Sequence, residues 1–322
     1  MTGAQSIAYV HEDAGYAETP NDADHKVPGK DTSVTDLGLE NGVQRLRNFS
    51  AQAKESIATT FEGSIGVSFV LCEPWILNSV FGSAPSAGGE SSAPYSYTWK
   101  FTPGRVQSSR WFIGTDYLTG TSGTGTCERE LKGVVFPQMQ VQIQQGEPVR
   151  VDCTGFYGDE AKSTQFTVTD VPEPAADPLI FHGGSLAIPS DTDLVKMREA
   201  TLDVQTGARP QRGWNRKPVD AVLGNVETTL DLQKAVTGTN LLSMAYGNST
   251  APATSGVDGA ADGTLRFQSP GANALEFQLT GVTPDSYNWD NLGDYEGDVL
   301  ENVSCVVDQL TAVAESASDT AR

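Results

Sequence analysis

The stretch that decides the fold is FEGSIGVSFVLCEPWILNSVFG, residues 61–82. Apolar residues alternate with small or polar ones over 65–71, a pattern typical of a half-buried strand. The apolar run after Pro74 ends at Gly82, which predicts a short helix closed by glycine. The same order returns in VETTLDLQKAVTGTNLLSMAYG, residues 226–247, which lies 165 positions later (226 − 61 = 165). The sequence therefore contains the same strand-helix unit twice.

The repeat extends on both sides of this stretch along one ungapped diagonal. Conservative apolar pairs such as Leu39 with Val204 and Ile57 with Val222 lie on it. A chain that repeats one unit at this length is typical of two copies of one fold, and such copies can occupy equivalent places in a ring. The pattern indicates assembly rather than catalysis. The identities on the diagonal are Leu37 with Leu202, Gly42 with Gly207, Arg47 with Arg212, Glu62 with Glu227, Leu77 with Leu242 and Gly82 with Gly247.

The pattern as a whole predicts a mainly β fold with two tandem domains, each a β-sandwich or curved sheet with one short α-helix. The second helix is expected over 240–246, before Gly247. Three prolines in eight residues indicate a stiff connector between the domains, and the chain ends lack a periodic pattern, as arms that a partner captures do. The predicted parts are an N-terminal arm at 1–33, a first domain at 34–170, a linker at 171–178, a second domain at 179–310 and a C-terminal arm at 311–322.

Three further segments complete the prediction of strands. The aromatic alternation YSYTWKF at 95–101 predicts a strand, with 110–113 as its expected partner. The segment 265–267 resembles 99–101 at an offset of 166 (265 − 99 = 166). Alternation before and after Gln145-Gly146 predicts a hairpin over 139–153.

Composition restricts the function. The chain has 322 residues, with 41 acidic and 21 basic side chains and a net charge of −20. It contains 9 Lys, 12 Arg, 23 Asp and 18 Glu, a balance that resembles proteins adapted to molar salt, where charge repulsion is screened. An ordinary acidic protein is the alternative. Either way, the acidity disfavours tight binding to a nucleic-acid backbone.

Targeting segments are not evident in the sequence. No apolar run reaches the roughly 18 residues of a membrane helix. Residues 1–16 lack the charged start and apolar stretch of a signal peptide. We therefore expect a product made and kept inside a cell, at least at first.

The sequence favours neither an enzyme nor a cofactor-binding protein. The G-x-S-x-G motif is absent, and His11, His25 and His182 lie in polar or Gly-rich surroundings. The cysteines, which form no C-x-x-C pair, are expected to be small buried apolar residues. A disulfide between two of them, Cys127 and Cys153, stays open. The four cysteines are Cys72, Cys127, Cys153 and Cys305.

One acidic loop is a weak candidate for a metal site. Its carboxylates are Asp290, Asp294, Glu296 and Asp298. Calcium needs several oxygen ligands on a tight turn, but this spacing does not match the EF-hand pattern. A solvated acidic loop is the favoured interpretation, so no metal is predicted.

One basic cluster is a candidate for assembly contacts. A basic and aromatic surface could bind nucleic acid, but in so acidic a chain a neighbour's carboxylates are the favoured partner. A partial match in the first copy, Arg47 beside Phe49, indicates a structural role in both copies. The cluster comprises Arg209, Arg212, Arg216 and Lys217 around Trp214.

These segments together resemble the tail tube proteins of long, non-contractile tailed viruses, and the composition suggests a virus of a halophilic archaeon. The resemblance covers about 34–310 and depends on the strand-helix unit 61–82, the aromatic strand 95–101, the hairpin 139–153 and the echo at 225–247. It is a likeness of pattern, without a diagnostic motif, and the family has no catalytic residues.

The resemblance implies β-sandwich subunits flanked by a helix, whose inner sheets join into a barrel around a channel that DNA passes. Single-domain members form six-subunit rings, so a duplicated member is expected to form a trimeric ring with pseudo-sixfold symmetry. Expected partners are further copies and other tail proteins, with no membrane, in the virion tail and in the host cytoplasm during assembly. The alternatives are a secreted or cell-surface β-sandwich adhesin, a tail terminator or a capsid decoration protein.

Overall fold

The computed structural model confirms a mainly β protein. Seventeen strands and two short α-helices form from the residues it describes. A 3-10 turn, Phe181–Gly183, precedes the tenth strand. The described residues are 5–21, 24–47, 49, 52, 55–120, 123–169, 174, 176–190, 192–254, 261–271, 273–293 and 297–319.

The first half of the chain contains nine strands and helix α1. The strands are β1 Gln5–His11, β2 Lys30–Leu46, β3 Glu55–Val70, β4 Ser86–Ala87, β5 Tyr95–Lys100, β6 Ser109–Thr119, β7 Gly123–Gln144, β8 Arg150–Tyr157 and β9 Asp159–Ser163, and α1 is Leu77–Phe81. The second half contains eight strands and helix α2. These are β10 Gly184–Ala187, β11 Met197–Gln205, β12 Arg209–Arg212, β13 Pro218–Val222, β14 Glu227–Ala235, β15 Ala261–Gln268, β16 Ala274–Asp290 and β17 Leu300–Ser316, and α2 is Asn240–Tyr246.

The predicted helices and their ends are confirmed. Helix α1 ends at Gly82, which has a φ of 75°, and α2 ends at Gly247, which has a φ of 64°. Both glycines adopt the left-handed conformation, which glycine reaches without the steric cost that a Cβ imposes. The predicted strand 65–71 and the hairpin around Gly146 are also confirmed.

Strands of both halves join in one antiparallel network. Its main path runs β10-β15-β16-β17-β14-β11-β7-β8-β3-β2, with β1, β6 and β9 attached to the N-terminal part of β7. Two sets of strands within it have the same order. The first unit is β2-β3-β8-β7-β6-β1, with β9 continuing β8, and the second unit is β11-β14-β17-β16-β15-β10.

The register of pairing also repeats between the units. Leu37 lies opposite Ile65 in the first unit, and Leu202 lies opposite Leu230 in the second, so both strands keep the offset of 165 (202 − 37 and 230 − 65). The later ladders repeat at other offsets, 148 for β7 to β16 and 150 for β8 to β17. These follow from Met139 opposite Cys153 and Tyr287 opposite Val303 (287 − 139 = 148; 303 − 153 = 150).

A strand pair inserted in the first half explains the change of offset. Strands β4 and β5 have no counterpart in the second unit, and β5 pairs with β4 and with the end of β17. The expected pairing of the aromatic strand with 110–113 is therefore wrong, because those residues in β6 pair with β1 and β7. The likeness of 265–267 to 99–101 is also misleading, since β15 takes the place of β6.

Parts of both predicted arms belong to the sheet. Residues 5–11 form β1, and residues 311–316 form the end of β17, so the expectation of arms is wrong for these segments. The alternating burial of small residues such as Ala312 and Ala314 compensates for the weak hydrophobic pattern of the C-terminal part. Of the predicted linker, residues 171–173 and 175 lie outside the described residues.

The two units share a core at the ladder between β7 and β11. Leu202 lies opposite Val141, and Val204 lies opposite Met139. All four side chains are 0% exposed, and each such burial contributes about 1.5–3 kcal/mol to stability. The ladder therefore joins the units through apolar packing as well as hydrogen bonds.

Candidate assembly surfaces

Two long strand edges that correspond to each other's partners by the repeat are open among the described strands. Strand β2 pairs with β3 alone, and residues 283–290 of β16 pair with β17 alone. Their counterparts, β11 and the C-terminal part of β7, pair with each other in the middle of the sheet. An unpaired edge exposes backbone donors and acceptors that readily pair with another chain.

Both open edges also expose apolar side chains. Leu39 on β2 is 46% exposed, and Trp289 on β16 is 45% exposed. Leu37 and Tyr287 beside them are half-buried. The fully buried counterparts at the inner ladder show that these positions are suited to packing between strands.

The predicted basic cluster lies in the hairpin formed by β12 and β13, and it contacts the first unit of the same chain. Arg212 Nη2 lies 3.4 Å from Glu62 Oε1. Lys217 Nζ lies 2.5 Å from Asp159 Oδ1. These ion pairs are partly exposed, and each such pair contributes only about 0–1 kcal/mol. They orient the hairpin against the first unit but contribute little to the free energy of folding.

Of the remaining cluster residues, Arg216 also contacts the first unit. Arg216 Nη2 donates to Asn41 Oδ1 at 2.5 Å. Arg209 is exposed, and Trp214 is 106% exposed, so both are accessible to a second chain. Arg47 is exposed at the corresponding position of the first hairpin, directly after β2. Whether this cluster touches a neighbouring subunit remains a prediction.

The structure does not assemble a metal site from the acidic loop in the part of the chain it describes. Asp290 accepts a hydrogen bond from Asn302 Nδ2, and Asp298 Oδ2 lies 2.9 Å from Arg198 Nη2. Asp294 and Glu296 lie outside the described residues. No group of three potential His, Cys, Asp or Glu ligands occurs among the described residues.

A buried ion pair, which the sequence analysis does not identify, lies directly behind the open edge of β16. Lys234 Nζ lies 2.5 Å from Glu301 Oε1, with side-chain exposures of 4% and 1%. Tyr287 on β16 donates to Glu301 Oε2 at 2.7 Å. Burial, followed by the bond to Glu301, raises the pKa of Tyr287 to about 12. The pair keeps this aromatic edge in a fixed orientation.

A second polar network supports the open edge of β2. Arg129 Nε lies 2.6 Å from Glu160 Oε1, and Arg129 Nη1 donates to the Leu37 carbonyl at 3.2 Å. The Tyr157 hydroxyl lies 2.7 Å from the Gly38 carbonyl. The hydrogen bonds from Arg129 and Tyr157 keep the pKa of the Glu160 carboxyl below its usual value, against the opposing effect of burial, which is the largest single influence.

Each unit also contains a carboxylate at the bulge of one long strand. Gly133 in β7 and Gly281 in β16 both have a φ of 68°. The Gly133 amide donates to Glu12 Oε2 at 3.1 Å, and the Gly281 amide donates to Asp262 Oδ1 at 3.2 Å. In the first unit the carboxylate belongs to Glu12, directly after β1, and in the second it belongs to Asp262 in β15. The glycine amide at the bulge therefore finds a carboxylate acceptor in both units, but from different positions in the fold.

Neither the cysteines nor the described helices form a further candidate site. All four cysteines are free, and Cys127 alone is partly exposed. Burial raises the pKa of the Cys305 thiol to about 12 and that of Cys153 further, which keeps both thiols protonated and weakly reactive. Neither described helix is long and apolar enough to cross a bilayer.

Comparison with known proteins identifies the family. A family model described as "Phage tail tube protein" matches residues 4–298 of this chain. A search of curated proteins found no match.

Proposed function

The chain belongs to the phage tail tube protein family, and we propose that three copies of it close one ring of the tube. The protein is a structural component of the virion tail and assembles with itself and with other tail proteins. The trimer is supported by one observation above all, the repeated ladder register. A chain with two equivalent units fills two places in a ring, so three chains give six places with pseudo-sixfold symmetry.

Ring closure accounts for the open edges of β2 and β16. An isolated subunit leaves both edges unpaired, whereas in a closed ring each of these edges can pair with the other edge of the next subunit. Rings of this kind stack into a non-contractile tube. Exposed apolar residues near the far end of the first hairpin, Val43, Leu46 and Ile57, support contacts with a neighbouring copy.

The acidity fits a conduit for DNA in strong salt. A net charge of −20 repels a phosphate backbone. In molar salt this repulsion acts over about 3 Å, so it prevents adhesion rather than steering DNA from afar. We propose a halophilic host, a subunit that assembles in the host cytoplasm, and no enzymatic activity. Membership of the family favours this function over an adhesin, a terminator or a decoration protein.

Native mass spectrometry and negative-stain imaging of protein purified in molar salt test the proposal. We expect rings of three chains and tubes built from them. Compact monomers at every salt concentration would contradict the tube function. Rings of six chains would contradict the trimeric stoichiometry but not the tube function.

A further inference from the structure

We propose that the contacts joining the two units within one chain are repeated between chains. Strand β16 of one copy pairs with β2 of the next, and Glu227 forms an ion pair with Arg47 of that next copy. The inference rests on the proposed function, in which the two units occupy successive places in a ring. It adds the residues that meet at the junction.

The repeated register specifies the alignment of the two strands. Within the chain, Leu202 of β11 lies opposite Val141 of β7. The counterpart of Leu202 is Leu37 (202 − 165 = 37), and the counterpart of Val141 is Trp289 (141 + 148 = 289). Leu37 therefore lies opposite the neighbour's Trp289. The ladder with this offset runs from Asp36 opposite Asp290 to Glu40 opposite Ser286.

The side chains along this ladder fit its inner counterpart. Val204 lies opposite Met139 inside the chain, and both are 0% exposed. Their counterparts are Leu39 and Tyr287 (204 − 165 = 39; 139 + 148 = 287). The two central apolar pairs of the inner ladder are apolar again at the open edges, whereas Ile143 has the polar counterpart Asn291 (143 + 148 = 291). Pairing the edges removes this surface from water, which is the main favourable contribution to association.

The charged contact repeats in the same way. Arg212 pairs with Glu62 inside the chain. Both residue types recur at the offset of 165, as Arg47 and Glu227 (212 − 165 = 47; 62 + 165 = 227). Among the described residues, neither Arg47 nor Glu227 has an ion pair or a side-chain hydrogen bond, and both are exposed. Two residues conserved between the units are thus paired, and the other two are available to a second copy.

The hairpins that hold the arginines also share their register. Arg209 lies opposite Val222 in the second hairpin, and Gln44 lies opposite Ile57 in the first (209 − 165 = 44; 222 − 165 = 57). Arg47 therefore occupies the same place in its hairpin as Arg212. With β2 docked on β16, this hairpin extends towards the start of the neighbour's β14, where Glu227 lies.

Charge reversal tests the ion pair. We expect Arg47→Glu to raise the protein concentration needed for ring formation by about threefold to tenfold, because a repulsive pair replaces an attractive one at each junction. The double variant Arg47→Glu/Glu227→Arg restores the wild-type concentration. Arg45→Glu is the matched control, since it places the same charge change on the same exposed strand end. Light scattering measures assembly, and circular dichroism confirms that each variant is folded.

Cysteine cross-linking tests the ladder independently. Glu40→Cys with Ser286→Cys places two exposed thiols opposite each other, and mild oxidation is expected to yield covalent trimers. Asp36→Cys with Ser286→Cys is the control, because its thiols lie four residues apart along the strand, roughly 13 Å. The unmodified chain, with its native cysteines, provides the background.

The outcomes separate the two proposals. Cross-linked trimers together with rescue by the double charge reversal support the junction. Rings that form equally well with Arg47→Glu, a double variant without rescue, or cross-links equal to the control contradict the junction but leave the tube function intact. Wild-type protein that never forms rings contradicts the tube function itself.

Discussion

The two units arrange their strands in the same order but place their polar clusters at different positions. The second unit contains the buried pair of Lys234 and Glu301. The positions that correspond to them in the first unit are Phe69 and Val151 (234 − 165 = 69; 301 − 150 = 151). Phe69 lies opposite Val151 as Lys234 lies opposite Glu301. One site in the fold therefore accepts either an aromatic contact or an ion pair.

The reverse holds for the network of the first unit. Arg129, Tyr157 and Glu160 form hydrogen bonds beneath β2. The corresponding residues of the second unit are apolar, and they are Phe277, Val307 and Leu310 (129 + 148, 157 + 150 and 160 + 150). The register therefore depends on strand length, glycine bulges and alternation, and not on where the charged residues lie. Each cluster also supports one open edge, β2 in the first unit and β16 in the second.

The largest expected effect follows from making the second unit resemble the first. Lys234→Phe leaves Glu301 buried without its cation and is expected to lower the free energy of unfolding by about 3–5 kcal/mol. The double variant Lys234→Phe/Glu301→Val restores an apolar pair and most of that stability. Denaturant unfolding below the concentration of ring formation measures both. Equal stability of the single and double variants would show that the two sites are not interchangeable.

The bulge glycines provide a sharper comparison, because they share one φ but have different surroundings. A Cβ at Gly133 meets the buried ring of Tyr16 at 2.7 Å, whereas a Cβ at Gly281 meets the exposed, movable carboxylate of Asp308 at 2.3 Å. The left-handed conformation costs alanine about 1–2 kcal/mol at either site, and overpacking adds about 1–3 kcal/mol at the first. We expect Gly133→Ala to cost about 3 kcal/mol and Gly281→Ala about 1 kcal/mol. Equal costs in thermal unfolding would contradict this difference.

Acid is expected to weaken the first unit through His11 in β1. Burial, aided by Lys26, lowers the pKa of His11 from 6.5 to about 4. The unfolded chain then binds the proton first, so this stabilising contribution is complete above pH 6.5 and is lost as the pH falls towards 4. At pH 5 the loss is about 2 kcal/mol.

The variant His11→Phe isolates this effect from other acid-sensitive groups. Strand β10, the counterpart of β1, has no ionisable side chain in GSLA. We expect the stability of the wild type to fall more than that of His11→Phe between pH 7.5 and pH 5, as measured by denaturant unfolding. Parallel losses in the two proteins would refute a role for His11.

The smallest expected effect concerns salt at the open edges. The proposed ladder places Asp36 opposite the neighbour's Asp290, where the inner ladder has Thr201 opposite Gln142. Like charges across a ladder are destabilising by a few tenths of a kcal/mol to about 1 kcal/mol, and molar salt screens them. Asp36→Asn is therefore expected to lower the salt concentration that ring formation requires. An unchanged salt dependence in light scattering would argue against this register.

The sequence was sufficient to predict the helices and the main strands because apolar spacing and helix-ending glycines are local signals. Helix α2 over Asn240–Tyr246 and the alternation at 65–71 are examples. The repeat of Arg47 as Arg212 and of Glu62 as Glu227 was also visible in the sequence. Which arginine pairs with which glutamate could only be learned from the structure.

Other features depend on tertiary structure. The insertion of β4 and β5 shifts the later offsets from 165 to about 150, so an ungapped diagonal misaligns everything after α1. Lys234 lies on the same face of β14 as Leu230 and Leu232, but a charged side chain is not expected in a core from sequence alone. Only the approach of Glu301 from β17 explains its burial. Residues 311–316 are mostly small or polar, so the sequence did not indicate a strand there. They extend β17 because they pair with β5 and β16.

Cryo-EM of the assembled particle tests the central claim most directly, because it shows both the ring symmetry and the strand register. The account predicts three chains in each ring, with Leu37 of one chain opposite Trp289 of the next. A ring in which β2 and β16 of adjacent chains do not pair, or pair in another register, would contradict it.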